Sequence, residues 1–168
     1  AFDTVDHSIL LERLSTSCGI SGMAWKWFES FVIGRRQQVR FGGSSSESVL
    51  VKTGIPQGSV LGPLLYVLYT ADIEEIVTSS GLGVHLYADD TQLYGSLPVA
   101  DSVILAHRVL EVISKIKDWM SSNRLRLNQE KTQFIWFGTR QQLAKNDVAS
   151  LSNVSSSLVE PGPVRNLG

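Results

Sequence analysis

Nine residues constrain this chain more than any others. The run Leu86-Tyr87-Ala88-Asp89-Asp90-Thr91-Gln92-Leu93-Tyr94 sets two adjacent carboxylates between two arms rich in apolar and aromatic residues. Arms of that composition pair as antiparallel strands, which puts the acids at the apex of a hairpin. Like charges side by side repel, and holding both at a structured turn costs free energy unless a cation neutralises them. Asp also favours turns through local hydrogen bonding, so the dipeptide alone reads first as an ordinary turn. The functional alternative is a divalent-cation site. Mg²⁺ takes oxygen ligands and keeps waters and substrate phosphates in its shell. Two such ions about 3.5–4 Å apart activate an attacking oxygen and stabilise a leaving one in phosphoryl transfer.

Charge along the chain frames that hairpin. The net charge is only −1, which argues against strong nonspecific binding to nucleic acid. Between Lys52 and Arg108 there is no Lys or Arg, while Asp72, Glu74, Glu75, Asp89, Asp90 and Asp101 all fall there. Lys26, Arg35, Arg36, Arg40 and Lys52 lie before the gap, and Arg124, Arg126, Lys131, Arg140 and Lys145 after it. An acidic centre between basic flanks suits a cation in the middle and phosphates at the edges. An uneven but solvated surface produces the same pattern.

The chain has 168 residues, 43% hydrophobic and 18% charged. That is enough for one domain with a short tail and excludes wholesale disorder. A single cysteine, Cys18, excludes an internal disulfide framework and fits a reducing compartment. The longest apolar run, Val60 to Leu68, contains Gly62 and Pro63 and falls short of the roughly 20 residues a bilayer span needs. No basic flank precedes an apolar stretch at the N-terminus. The expectation is an intracellular chain, nuclear or cytoplasmic, not secreted and with no membrane partner. Its first residue is Ala rather than Met, as expected of a piece of a longer chain.

The pattern predicts a helix from Ser8 to Leu14 and a second one capped by Ser21 and stopped by Gly34. Gln37 to Phe41 and Val49 to Thr53 read as a hairpin joined through Gly42 to Ser46. A helix is expected from about Ser59 to Ser79, with Pro63 tolerable only near its start. Val84 to Ala88 and Thr91 to Tyr94 form the arms of the acidic hairpin. Pro98 and Asp101 lead into the longest helix, with Leu105, Val109, Val112, Ile116 and Met120 on one stripe. Gln133 to Phe137 has strand propensity. Residues 141–168, mostly polar and Ser-rich, read as a loose connection after a first unit at 1–140. Helices and hairpins in this order predict an α+β fold, an antiparallel sheet with helices packed on one face.

One further run carries chemistry. Gly54-Ile55-Pro56-Gln57-Gly58-Ser59-Val60-Leu61-Gly62-Pro63-Leu64-Leu65-Tyr66 joins a glycine-rich loop to a helix start. Small residues let a backbone approach a flat ligand, and helix N-terminal amides suit phosphate. Gln57 offers both a donor and an acceptor. An ordinary loop-to-helix cap is the plain alternative.

"AFDTVDH" at 1–7, "GIPQGSVLGPLLY" at 54–66, "LYADDTQLY" at 86–94 and "LRLNQEKTQFIWFG" at 125–138 occur in that order. Together they resemble the reverse transcriptase of non-LTR, LINE-type retrotransposons, and "VRNLG" at 164–168 is similar to the start of that family's primer-gripping block. The resemblance implies a polymerase palm with part of the fingers, truncated at both ends, and RNA-templated DNA synthesis. It implies an RNA template, a DNA primer and dNTPs as partners of the full-length parent, and two Mg²⁺ ions in the complete site, with Mn²⁺ as the alternative. By the same resemblance Asp89 is a metal ligand and Asp90 completes the acidic turn. Phe2 matches the aromatic under the incoming sugar that disfavours a 2′-hydroxyl. Gln57 and Gly58 line the nucleotide and template pocket, and Lys131 is a candidate general acid near the leaving pyrophosphate. Arg35, Arg36 and Arg40 are a basic cluster suited to template phosphate.

The resemblance also implies a third carboxylate on a central strand upstream of Ala1. Asp3 does not substitute for it, because Asp3 matches a separate, structural acid one residue beyond the aromatic. Asp6 and His7 read as helix-entry residues. Without that strand, two acids on one turn cannot clamp two metals from opposite sides, and these residues alone are expected to be inactive. The rest of the retrotransposon polyprotein would lie outside the chain. Two other classes remain open here. One is a decayed or domesticated remnant that at most binds RNA or a protein partner. The other is an unrelated metal-dependent nucleotidyl cyclase or polymerase, which would not need the block at Gly54 to Tyr66.

Overall fold

In the computed structural model the described residues are 2–143. They form an α+β fold whose elements appear largely in the order the sequence predicts. Helix α1 spans His7–Thr16, and the Asp6 carboxylate caps it by accepting from the amides of Ser8 at 2.9 Å and Ile9 at 3.1 Å. Such a cap satisfies donors that the first helical turn leaves open. Helix α2 spans Gly22–Val32; Ser21 sits at its N-cap position without a side-chain cap bond. Gly34, at φ +75, supplies the left-handed residue after its end.

The hairpin expected between Gln37 and Thr53 breaks into two short ladders. Strand β1 (Arg36–Gln37) pairs with β4 (Val49–Leu50), and β2 (Arg40–Phe41) pairs with β3 (Ser44–Ser45). Residues 36–50 are exposed on both faces, so no buried face holds the register over a longer ladder. The helix expected from Ser59 to Ser79 starts later and is interrupted. It becomes α3 (Gly62–Thr70), with Pro63 in its first turn, and α4 (Asp72–Thr78). Ala71 between them keeps helical angles (φ −56, ψ −35). Thr70 Oγ1 donates to the Tyr66 carbonyl at 3.0 Å, a back-bond that bends helices.

Strands β5 (Gly83–Tyr87) and β6 (Asp90–Tyr94) pair antiparallel, from Gly83 opposite Tyr94 to Tyr87 opposite Asp90. A short 3-10 turn, Val99–Asp101, leads into α5 (Ser102–Ser122). Residues 133–137 form no strand, which corrects the expectation for that segment. They keep a strand's period of two: Thr132, Phe134 and Trp136 are half-buried while Gln133, Ile135 and Phe137 are exposed. A ladder needs successive pairs as well as a pattern, and here Gln133 alone makes a single bridge. A 3-10 turn at Gln129–Lys131 precedes them, and α6 (Arg140–Leu143) follows. The connection expected at 141–168 lies, beyond residue 143, outside the described residues.

The expected single sheet is likewise three two-stranded antiparallel sheets among the described residues. Two cores organise them. The first gathers Leu10, Leu11 and Leu14 of α1, Leu65, Tyr66 and Tyr69 of α3, and Val5 and Ile55 from the loops. The second gathers Ile73 and Val77 of α4, the stripe of Leu105, Val109, Val112 and Ile116 on α5, and the inner face of the β5–β6 hairpin through Val84, Leu86 and Leu93. Helices α4 and α5 thus cover one face of that hairpin. No described helix is long and apolar enough to cross a membrane.

Trp119 and Met120 pack against both cores, and a polar junction surrounds Trp119. The Arg13 guanidinium pairs with Asp72 at 2.7 Å and donates to Asn123 Oδ1 at 2.9 Å. It lies 5.6 Å from the ring centroid of Tyr69 and 5.1 Å from that of Trp119. Trp119 Nε1 donates to Asp72 at 3.2 Å, and the Tyr69 hydroxyl donates to the Asn123 carbonyl at 2.6 Å. One side chain thereby ties α1, α3, α4 and the end of α5. The Arg13 side chain is only 13% exposed although Asp72 is 46% exposed, so its removal strands several polar groups. Arg13→Ala is expected to lower unfolding free energy by about 2 kcal/mol, read as a drop in the urea midpoint. Breaking the solvated Lys115–Glu111 pair, 2.8 Å apart on α5, should leave that midpoint within error.

Candidate functional site

Residues 2–6 and 53–57 are strapped together by main-chain hydrogen bonds. The Ile55 amide donates to the Phe2 carbonyl at 3.1 Å and the Gly54 amide to the Val5 carbonyl at 2.8 Å. Thr53 Oγ1 donates to the Asp3 carbonyl at 3.0 Å, and Asp6 bridges Thr53. Gly54 is required there: at φ +90, a Cβ would lie 2.9 Å from Asp3 Cα and 3.0 Å from its carbonyl oxygen. The Gly54 carbonyl is held in turn by buried His7, whose Nε2 is 2.9 Å away, and by Arg35 Nη1 donating at 3.3 Å. Asp6 and His7 therefore behave as helix-entry and packing residues, as the sequence suggests.

This strap fixes the N-terminal aromatic against the glycine-rich loop. The Phe2 ring stacks on Tyr66 with centroids 4.7 Å apart and planes at 26°. Gln57 sits on the loop, and its Nε2 donates to both oxygens of Asp3, at 2.9 and 3.1 Å. Gly58 follows at φ +79. Ser59 Oγ donates to the Pro56 carbonyl at 2.7 Å and accepts from the Gly62 amide at 3.0 Å. The loop is thus closed onto the start of α3 before any ligand arrives.

The acidic turn bears on the same ring electrostatically. Tyr66 is only 5% exposed, and burial pushes its hydroxyl from the ordinary 10.0 up to about 12, with the Asp89 charge as the next cause. Phe2, Gln57 and Tyr66 are held together by the strap and the ring stack, and Asp89 bears on Tyr66 through its charge alone.

At the tip itself the register differs by one residue from expectation. Asp90 opens β6 opposite Tyr87, so the loop is Ala88-Asp89 rather than Asp89-Asp90. Two-residue hairpin loops need a positive φ at their first position, and Ala88 provides it at φ +52. A side chain there carries roughly 1–2 kcal/mol of strain. The result separates the two acids in role: Asp89 sits in the loop, Asp90 on the strand, and both are exposed.

Other residues lie further from this centre. Lys131 is exposed on the 3-10 turn after α5, and no ion pair among the described residues engages it. Arg36 spends its guanidinium on Ser48, donating to Oγ at 3.0 Å and to the carbonyl at 2.7 Å. Arg40 is exposed on β2, and half-buried Arg35 is the one of the three that reaches the strap. Asp89 and Asp90 offer hard oxygen donors suited to Mg²⁺. Among the described residues, however, no group of three His, Cys, Asp or Glu gathers to hold an ion. A cation at Asp89 or Asp90 would take its remaining ligands from elsewhere. Sequence reading missed Tyr66 and the Asp3 carboxylate as parts of the site. Tyr66 was visible only as the last letter of a motif, and the Asp3–Gln57 contact spans 54 positions.

Comparison with known proteins adds an independent line. The family profile described as reverse transcriptase (RNA-dependent DNA polymerase) matches residues 1–168. The chain is 30% identical over 143 residues to the RNA-directed DNA polymerase from mobile element jockey of Drosophila funebris, covering 82% of this chain and 15% of that protein. It is 30% identical over 137 residues to the probable RNA-directed DNA polymerase from transposon BS of Drosophila melanogaster, covering 79% and 15%. The probable RNA-directed DNA polymerase from transposon X-element of that species is 27% identical over 155 residues, covering 84% and 15%. The chain thus spans about 15% of the length of these curated relatives.

Two outcomes follow from the geometry. Ala88→Gly should relieve the turn and raise unfolding free energy by about 0.5–1 kcal/mol, read from the thermal midpoint. The raised Tyr66 pKa means the folded chain holds that proton when the unfolded one has lost it. Its contribution to stability is intact below pH 10 and is lost as pH rises through about 12. Tyr66→Phe should flatten this alkaline decline. Asp89→Asn should move the Tyr66 phase of tyrosinate absorbance to lower pH; an unmoved phase would separate the acidic tip from Tyr66.

Proposed function

The chain belongs to the reverse transcriptase (RNA-dependent DNA polymerase) family, and from that premise we propose that it supplies the catalytic palm, with part of the fingers, of a LINE-type RNA-directed DNA polymerase. The observation that carries the reading is the Phe2 ring stacked on Tyr66 and strapped to the loop that carries Gln57, in a chain whose β5–β6 hairpin bears Asp89 and Asp90 at its tip. The substrates are an RNA template, a DNA primer and dNTPs, and the polymerase works inside the cell.

In this reading Asp89 and Asp90 hold Mg²⁺, or Mn²⁺ in its place, together with a third carboxylate from outside the described residues. When bound, two such ions activate the primer hydroxyl and stabilise the departing pyrophosphate. The chain's own residues do the rest. The Phe2 ring, immobilised on Tyr66, presents a flat wall that leaves no room for a 2′-hydroxyl on the incoming sugar. Gln57 and Gly58 line the nucleotide and template pocket from a loop already closed by Ser59. Buried Tyr66 stays protonated at physiological pH and so adds no negative charge beside Asp89. Lys131 delivers a proton to the leaving pyrophosphate. Arg40 has its guanidinium available for template phosphate, whereas Arg35 and Arg36 approach that role only by releasing the contacts they make with Gly54 and Ser48.

The test uses a longer polymerase that carries this segment with its flanks, given primed RNA, dNTPs and Mg²⁺. Asp89→Asn is expected to lower template-dependent synthesis by at least about 10²-fold; synthesis at the unsubstituted rate would overturn the assignment. A polypeptide of these 168 residues alone is expected to yield no extended primer, because only two carboxylates meet at the turn.

A further inference from the structure

The reading of Gln57 as a pocket residue leaves open what fixes its amide. That side chain is exposed and has rotatable bonds to spare, yet both oxygens of Asp3 lie within hydrogen-bond distance of its Nε2, at 2.9 and 3.1 Å. An ionised carboxylate only accepts hydrogen bonds. The amide nitrogen must therefore face Asp3, whichever way an amide of this kind is drawn, and Oε1 must point away. We propose that Asp3 is a positioning residue for the polymerase reaction: its carboxylate orients Gln57 so that an acceptor oxygen, not a donor nitrogen, is presented to the pocket beside Phe2. The group that Gln57 meets is then a hydrogen-bond donor, a sugar hydroxyl or a base N–H, and not a phosphate oxygen.

Three observations support this over a purely structural role for Asp3. First, the backbone strap already joins the two segments through the carbonyls of Phe2, Asp3 and Val5. Truncating the Asp3 side chain leaves those bonds in place. Second, both partners are exposed, so their contact adds little to stability. Third, the close approach of Gly54 to Asp3 brings the two backbones near enough for a short acid to reach the amide without strain. An orientation fixed before the nucleotide arrives removes an ordering cost at binding.

This inference rests on the polymerase reading of the site, and the experiment separates the two. In the longer polymerase, Gln57→Ala is the reference. Asp3→Ala frees the amide and is expected to raise the KM for dNTP about fivefold to tenfold while kcat falls less than about threefold. Asp3→Asn can pair with either end of the amide and should fall between. The pair Asp3→Asn with Gln57→Glu reverses donor and acceptor, keeps an outward acceptor oxygen, and should recover most of the KM that Gln57→Glu alone loses by setting two carboxylates face to face. The Gln57 side-chain amide signal in nitrogen-15 spectra gives a readout free of turnover: it should lose its downfield, slowly exchanging character in Asp3→Ala while the thermal midpoint stays put. If Gln57→Ala raises KM and Asp3→Ala does not, the positioning role is wrong and the polymerase reading stands. If Gln57→Ala itself leaves KM unmoved, the assignment of the loop fails first.

Discussion

One guanidinium holds the two halves of this fold in register. Arg13 reaches from α1 to Asp72 at the start of α4 and to Asn123 beyond α5, and lies against the rings of Tyr69 and Trp119. The Phe2–Gln57 strap grows from the first core and the acidic hairpin packs on the second. The placement of the strap relative to the hairpin is thus set by packing well away from either. Most of the Arg13 side chain is hidden while its partner is half exposed, an arrangement in which paired hydrogen bonds and ring contacts offset the desolvation of the charge.

The site is built by the opposite device, backbone brought close to backbone. Gly54 allows the loop to press on Asp3, and Ala88 tolerates a left-handed turn that most side chains avoid. Gly54 adopts its angle freely, whereas at Ala88 local conformational preference yields to the geometry of the turn. The strap joins the Phe2 segment to the Gln57 loop, and buried Tyr66 backs the Phe2 ring.

Much of this was legible in the sequence, for local reasons. Asp6 ahead of an apolar period, Gly34 after one, the stripe on α5 and the arms around the acids all depend on residues a few positions apart. The failures are equally physical. The ladder between Gln37 and Thr53 breaks because neither face is buried, which strand propensity does not register. Gln133 to Phe137 carries the alternation of a strand, but a strand needs a run of pairs and only Gln133 makes a bridge. The one-residue shift that moves Asp90 off the loop follows from turn geometry at Ala88 and not from composition. The Arg13 junction joins positions 59 and 110 residues apart, and no short-range pattern announces it. Of the candidate site, the motif residues Phe2, Gln57, Gly58, Asp89 and Asp90 were visible as letters. Their mutual placement, and the parts played by Tyr66 and Asp3, were not.

The β5–β6 ribbon is two strands wide, with no further strand beside it among the described residues. A rim that no strand covers offers a row of amides and carbonyls that water must satisfy. Such rims zip readily to identical rims on neighbouring copies, and exposed Tyr87 and Tyr94 add stacking surface to the seam. The opposing influence is the anionic tip, which copies carry into close quarters on every such encounter. Ionic strength screens that repulsion, so buffer salt governs how concentrated a solution of this chain can become before it thickens into aggregates.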